Sequence, residues 1–193
     1  MILTDKDIRA LCTNEKKSTA GMINPFFEES LQSESYDLAI GKRIAVLKKE
    51  VRCIDITDQN KIDSIYDEME LPASGYVLSP KEYVLVSLNE NIALPESITA
   101  HIRPRTRFTR LGLLVSDQHC NSTYEGNLKL GLFNATDYAI KIFPGVRIAQ
   151  IVFEELKSTP SSEKMYKNKV NAVYQNEQEF RGAVASKKLE DKV

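Results

Sequence analysis

Short runs with apolar and β-branched residues at every second position fill the chain as far as Leu156, and clusters of Gly, Pro, Asn, Asp or Ser separate them. Alternation with period two predicts half-buried strands. The runs fall at 35–41, 43–49 (Ile44 and Val46 pointing inward), 75–78, 83–88, 98–103, 113–116, 124–133, 139–143 and 147–156. Ser79-Pro80-Lys81-Glu82 supplies a turn between two of them. Short strands at this spacing predict an all-β barrel or jelly roll. Helix signals are confined to the start, where Thr4 reads as an N-cap with Asp7 three positions on, opening a short helix to about Cys12. Residues 14–25 read as an irregular crossing, and the acidic stretch 55–72 as a surface excursion. From 157 to 193 the chain is polar and reads as a solvated tail.

A chain of 193 residues is long enough for one domain with a sizeable core, so the expectation is a single domain over 1–193, with a β-core at 1–156 and a tail at 157–193. The net charge of −1 argues against nucleic acid as a partner and makes any basic cluster local. Cys12, Cys53 and Cys120 form no close-spaced pair and read as small buried hydrophobes. With no signal peptide and no apolar run of membrane length, a reducing cytoplasm is the expected compartment and a membrane is not an expected partner. His101 and His119 are the only histidines and there is no Cys-x-x-Cys, which excludes the zinc-dependent type of base deaminase. No phosphate-cradling Gly-x-x-x-x-Gly-Lys loop is present either.

One stretch concentrates the chemistry. Arg103, Arg105, Arg107 and Arg110 fall within eight residues, interleaved with Thr106 and Thr109. The first three share a face if the chain is extended, and Arg107 and Arg110 become neighbours on a helical turn. Clustered guanidiniums repel unless an anion lies between them, and their donor forks fit phosphate oxygens. A solvated basic face with scattered salt bridges is the plain alternative.

The arrangement around that stretch resembles the dCTP deaminase/dUTPase superfamily. The resemblance rests on Ser35-Tyr36-Asp37-Leu38, the Arg-Leu-Gly-Leu of 110–113, Tyr124-Glu125-Gly126, the Leu-Lys-Leu-Gly-Leu-Phe-Asn of 128–134, Pro144-Gly145-Val146-Arg147-Ile148-Ala149-Gln150, and Gly182-Ala183-Val184-Ala185-Ser186. It implies a dUTPase-like distorted jelly roll, a homotrimer with sites between subunits, a C-terminal lid, and a pyrimidine deoxynucleoside triphosphate as ligand. It also implies Mg2+ held by the phosphates, without zinc.

Carried over residue by residue, the resemblance makes Asp37 an organiser of the phosphate region. Its plain alternative is a buried carboxylate paired with a core arginine. Arg105, Thr106, Arg110 and Gln150 become phosphate contacts, with Thr106 keeping the hydroxyl of the family serine. Arg107 replaces a small residue and either adds a phosphate contact or crowds the pocket. Tyr124 matches the aromatic residue that packs on deoxyribose, and Tyr174 and Gln178 lie in the segment resembling the lid. Val173 stands where a phosphate-contacting lysine is expected, with Lys167 and Lys169 nearby.

Both catalytic positions of the resembled family are substituted. Its dUTP hydrolases use an Asp where this chain has Asn121, and its dCTP deaminases use a Glu where this chain has Gly131. An amide cannot take a proton near neutral pH, and glycine has no side chain at all. The stretch from Arg110 to Tyr124 is also shorter than the deaminase pattern. Asp117 and His119 within it are either displaced bases or ordinary turn and surface residues. Three readings follow: a zinc-free nucleotide hydrolase (dCTP deaminase or dUTP diphosphatase) with weak or lost activity, a nucleotide sensor, sequestering or regulatory protein, or, given the shortened stretch, an altered substrate or base.

Overall fold

The computed structural model describes residues 1–13, 21–51, 53–180 and 182–187. The expectations placed on 14–20, on Arg181 and on 188–193 lie outside the described residues.

Helix α1 (Asp5–Thr13) forms where the capping signal placed it. The Thr4 N–H and hydroxyl both donate to the Asp7 carboxylate, at 3.0 and 2.8 Å, and Ile8 is fully buried. The strands are β1 (Ile23–Asn24), β2 (Tyr36–Leu47), β3 (Tyr66–Glu70), β4 (Tyr76–Leu78), β5 (Tyr83–Leu88), β6 (Asn91–Ala93) and β7 (Ile98–Pro104). They continue as β8 (Leu113–Val115), β9 (Gln118–Cys120), β10 (Glu125–Gly126), β11 (Lys129–Asn134), β12 (Ile140–Ile142) and β13 (Arg147–Glu155). Two one-turn helices, α2 (Gln59–Asp63) and α3 (Thr106–Arg110), interrupt them. All pairings between these strands are antiparallel. The main sheet runs β8-β11-β5-β2-β13-β7-β9, with β3 on β2, and β1-β6-β10 and β12-β4 form smaller sheets. The all-β expectation holds. No described helix is long and apolar enough to cross a membrane.

β2 bends the main sheet. Its first residues pair with β13 through Asp37 and Gln150, and its last with β5 and β3, with a register shift between Ile40 and Ile44. The two strands expected at 35–41 and 43–49 are therefore one. The bend is held by Glu90, 1% exposed, whose Oε2 accepts from the Ala39 N–H at 3.0 Å. Burial pushes the Glu90 carboxyl above its ordinary value, against the backbone hydrogen bonds that lower it. A raised folded-state pKa contributes stability that is full below the unfolded value of about 4.3 and is lost as pH rises through the folded one. Glu90→Gln keeps an acceptor for Ala39, so it is expected to flatten that part of the melting-temperature profile. Melts across the acid range that keep the wild-type slope would overturn this.

Three sequence expectations fail here, each for a physical reason. The excursion at 55–72 contains α2 and β3. Strand β3 is an outer strand with four exposed residues in five, so no buried alternation marks it. The strand expected at 124–133 breaks into β10 and β11, because Asn127 turns inward to donate to Leu88 O and Glu90 O at 2.7 and 3.0 Å. Cys53 is exposed, whereas Cys120 is buried.

The tail is not a loose polar strand of chain. Met165 is buried, Glu177 bridges Gly126 in parallel, and Asn127 N donates to Glu177 O while Asn176 N donates to Glu125 O, both at 2.7 Å. The backbone contacts hold residues 176–177 along β10. A Cβ on Gly126 would lie 3.0 Å from Glu177 N, so the close approach needs glycine there.

Candidate functional site

Two clusters of the residues singled out above are assembled at separate places. The first lies where β2, β13 and the end of β7 meet. Asp37 is 2% exposed, and its Oδ2 is 3.0 Å from Arg105 Nη1. Arg105 also donates to the Arg147 carbonyl at 3.3 Å, and Gln150 lies between Asp37 and Arg103 in the sheet register. Burial raises the Asp37 pKa, opposed by Arg105 first and then by Arg147 and Arg107. Arg105 is lowered, chiefly by burial and then by repulsion from Arg107 and Arg147, with Asp37 working against them. The plain reading of Asp37 as an ion-paired buried carboxylate is thus realised, and it sits inside the arginine cluster.

β7 ends at Pro104, so the alternation of 103, 105 and 107 stops and the chain turns into α3. Thr106 and Arg110, four apart, share one side of that turn. Thr106, Arg107 and Arg110 are exposed, and neither arginine has a salt bridge among the described residues. One carboxylate therefore faces several guanidiniums, leaving donors over for an anion.

The second cluster lines a cavity of about 500 Å3 under the tail, walled by Asn121, Tyr124, Leu128 and Tyr174 among others. Alternation places it. The even residues of β11 and β5 (Leu130, Leu132, Val84, Val86) are fully buried in the core, so Lys129, Gly131, Tyr83 and Leu85 face the other way. Tyr124 is 4% exposed, its ring is 5.8 Å from that of Tyr166, and its hydroxyl is buried without a hydrogen-bond partner among the described residues. Burial drives its pKa far up, helped by Glu177, so it stays neutral. Tyr66 is pushed up to about 12 by burial first.

Lys129 and Glu177 were not singled out by sequence. Their side chains are each 7% exposed and 3.7 Å apart, and Lys129 Nζ also donates to Asn127 O and Oδ1 at 2.8 and 3.1 Å. Burial lowers the Lys129 pKa against the pull of Glu177. The pair pins the tail over the cavity. Tyr83 was missed as well, although its alternation with Leu85 on β5 was a usable signal.

The substituted catalytic positions are both at this second place. Asn121 lines the cavity, and its carbonyl accepts from Tyr124 N at 3.1 Å. A Cβ built on Gly131 would collide with the Tyr83 hydroxyl and lie 2.8 Å from its ring carbons.

Asp117 and His119 behave as surface residues. Asp117 pairs with exposed Arg103 at 3.3 Å. His119 lies at the cavity rim, but its Nδ1 is 3.0 Å from His101 Nε2, and His101 Nδ1 is 3.4 Å from Glu154. Gln118 and Cys120, on the opposite face of β9, point to the cavity and the core. Gln178 is exposed and is not part of the cavity wall. Lys167 pairs with Glu96 at 2.7 Å, both side chains being about half exposed. Asp37, Arg105, Arg107, Arg110 and Gln150 are all absent from the cavity wall.

The two clusters are those that the resemblance assigns to phosphates and to a nucleoside. A family model described as dCTP deaminase-like matches residues 2–156. The chain belongs to the dCTP deaminase-like family. A dUMP-forming dCTP deaminase of a Sulfurihydrogenibium species is 34% identical over 190 residues, covering 97% of both chains. Another from a Hydrogenobaculum species is 36% identical over 162 residues, covering 83% of this dCTP deaminase-like chain and 86% of the relative. In fold, it is similar to the crystal structure of the 2′-deoxycytidine 5′-triphosphate deaminase of Agrobacterium tumefaciens, with a TM-score of 0.63 and 24% identity. That match covers 80% of the dCTP deaminase-like chain and 48% of the other, so the chain spans about half the length of that protein.

Proposed function

We propose that this chain binds a pyrimidine deoxynucleoside triphosphate, with the base and sugar in the cavity beside Tyr124 and the phosphates on the arginine cluster. The reading rests on one observation: a nucleoside-sized, tyrosine-lined cavity and an arginine-rich anion site are both built, at separate places on one chain. Assembly into a homotrimer brings the cavity of one copy to the arginines of another. Arg105, Arg110, Thr106 and Gln150 hold the triphosphate, Arg107 adds charge, and Mg2+ enters bound to the phosphate oxygens. Tyr174 and Gln178 belong to the tail that closes over the ligand.

The reaction that the relatives are named for, hydrolytic deamination of dCTP with loss of pyrophosphate to leave dUMP, is weak in this reading. Neither Asn121 nor Gly131 offers a base, and general-base work is worth about 10²–10⁴ in rate. Tyr83 across Gly131 favours the second reading, a nucleotide sensor or sequestering protein, because the space for the missing side chain has been filled.

The test joins assembly to binding. Light scattering is expected to give three copies at micromolar concentration, and calorimetry to give much tighter binding of triphosphates than of the matching deoxynucleosides. A monomer with equal affinity for both would overturn the proposal.

A further inference from the structure

Gly131 marks where the family carboxylate would enter the cavity, and its neighbour on the next strand has taken that place. Gly131 pairs with Leu85 and Phe133 with Tyr83, so Tyr83 is the diagonal neighbour of Gly131 on the same face. Its hydroxyl occupies the space where the residue-131 side chain would begin, and it lines the cavity. It makes no hydrogen bond among the described residues.

The exchange gives that wall a donor that a carboxylate lacks. A carboxylate only accepts hydrogen bonds, which suits the 4-amino group of cytosine. A phenol hydroxyl can donate as well as accept, and burial raises the Tyr83 pKa, so the proton stays on and a donor is always available. A carbonyl oxygen at position 4 of the ring, which a carboxylate would repel, can use that donor. Gln118, also in the wall, carries the complementary signal. Its Nε2 donates to the Lys129 carbonyl at 2.7 Å, which fixes the amide and leaves Oε1 as an acceptor. Uracil and thymine present an N3–H donor beside O4, whereas cytosine presents an N3 acceptor beside an amino donor.

We propose that Tyr83 and Gln118 are specificity-determining residues that select a 4-oxo pyrimidine, uracil or thymine, over cytosine. The inference rests on the nucleotide-binding reading above and says which base the cavity takes. The two 4-oxo bases differ only by the thymine methyl, so dUTP and dTTP are separate arms of the test.

Calorimetric titration of the full chain with dCTP, dUTP and dTTP, each with Mg2+, is the experiment. At least one of dUTP and dTTP is expected to bind about tenfold or more tightly than dCTP, as a satisfied against an unsatisfied buried hydrogen bond requires. Tyr83→Phe removes only the hydroxyl and should lower the affinity for the 4-oxo nucleotides, bringing the three affinities nearer parity. Gln118→Leu is the independent variant and should erode the same preference, with thermal melts confirming that each is folded. Wild-type affinity for dCTP equal to or above that for both others overturns the inference, and so does a preference that survives both variants. In either case the triphosphates still bind and the broader reading stands. Binding of none of the three overturns both.

Discussion

Arg105→Ala is expected to weaken triphosphate binding by about tenfold or more, since a charged hydrogen bond to phosphate is worth about 1.5–3 kcal/mol. It should also destabilise the protein. Asp37 is 2% exposed and Arg105 is its ion-pair partner at 3.0 Å, so the variant leaves a buried carboxylate without that partner and with only Arg147 and Arg107 to offset its charge. Breaking a buried pair from one side costs about 3–5 kcal/mol, and Arg105 is partly exposed, which favours the lower end. The loss has a defined pH dependence. The Asp37 pKa is already raised, so its stability contribution is present below the ordinary carboxylate value of about 4 and lost as pH rises through the folded value. Without Arg105 that value rises further, so the gap between variant and wild type should narrow on acidification. Arg110→Ala is the control, because Arg110 is exposed and has no salt bridge among the described residues. It should weaken binding similarly and leave the denaturation midpoint in place. Calorimetry and chemical denaturation of both variants decide the matter. Unchanged binding in both would remove the arginines from the phosphate site.

Restoring carboxylates should succeed at one position and fail at the other. Asn121→Asp returns a base beside Tyr124 at a position on the cavity wall, and dUTP hydrolysis is expected to rise by about 10²–10⁴. Gly131→Glu should not restore dCTP deamination, because its Cβ meets the Tyr83 hydroxyl before the carboxylate can reach the cavity. Overpacking of this kind costs about 1–3 kcal/mol, so a lower melting temperature is expected with no gain in ammonia release. Combining Gly131→Glu with Tyr83→Ala should recover the stability lost to the clash. The measurement is steady-state pyrophosphate and ammonia release. Rapid release of either product by the wild type would mean that another group acts as the base. Asp117 and Glu125 are then the first to replace, although Asp117 is engaged with Arg103.

The sequence by itself determined the fold class, the short N-terminal helix, most of the strands and the family. These depend on short-range rules: period-two alternation, a capping Thr with Asp three residues on, and motif residues in fixed order. It also determined that Asn121 and Gly131 cannot act as bases, since that follows from residue chemistry alone. Only the tertiary structure decided the rest. Tyr36 to Leu47 is one bent strand because a buried Glu90 from the β5–β6 turn ties down Ala39. The polar tail is ordered because Glu177 meets a lysine 48 residues earlier, a pairing that no local window contains. Asp37 and Arg105, 68 residues apart, meet through the β2–β13–β7 register. The cavity at Gly131 is shaped by Tyr83, 48 residues away and diagonal across a strand pair. A missing side chain is legible in sequence, but which neighbour fills its space depends on strand register, and register is a property of the packed sheet.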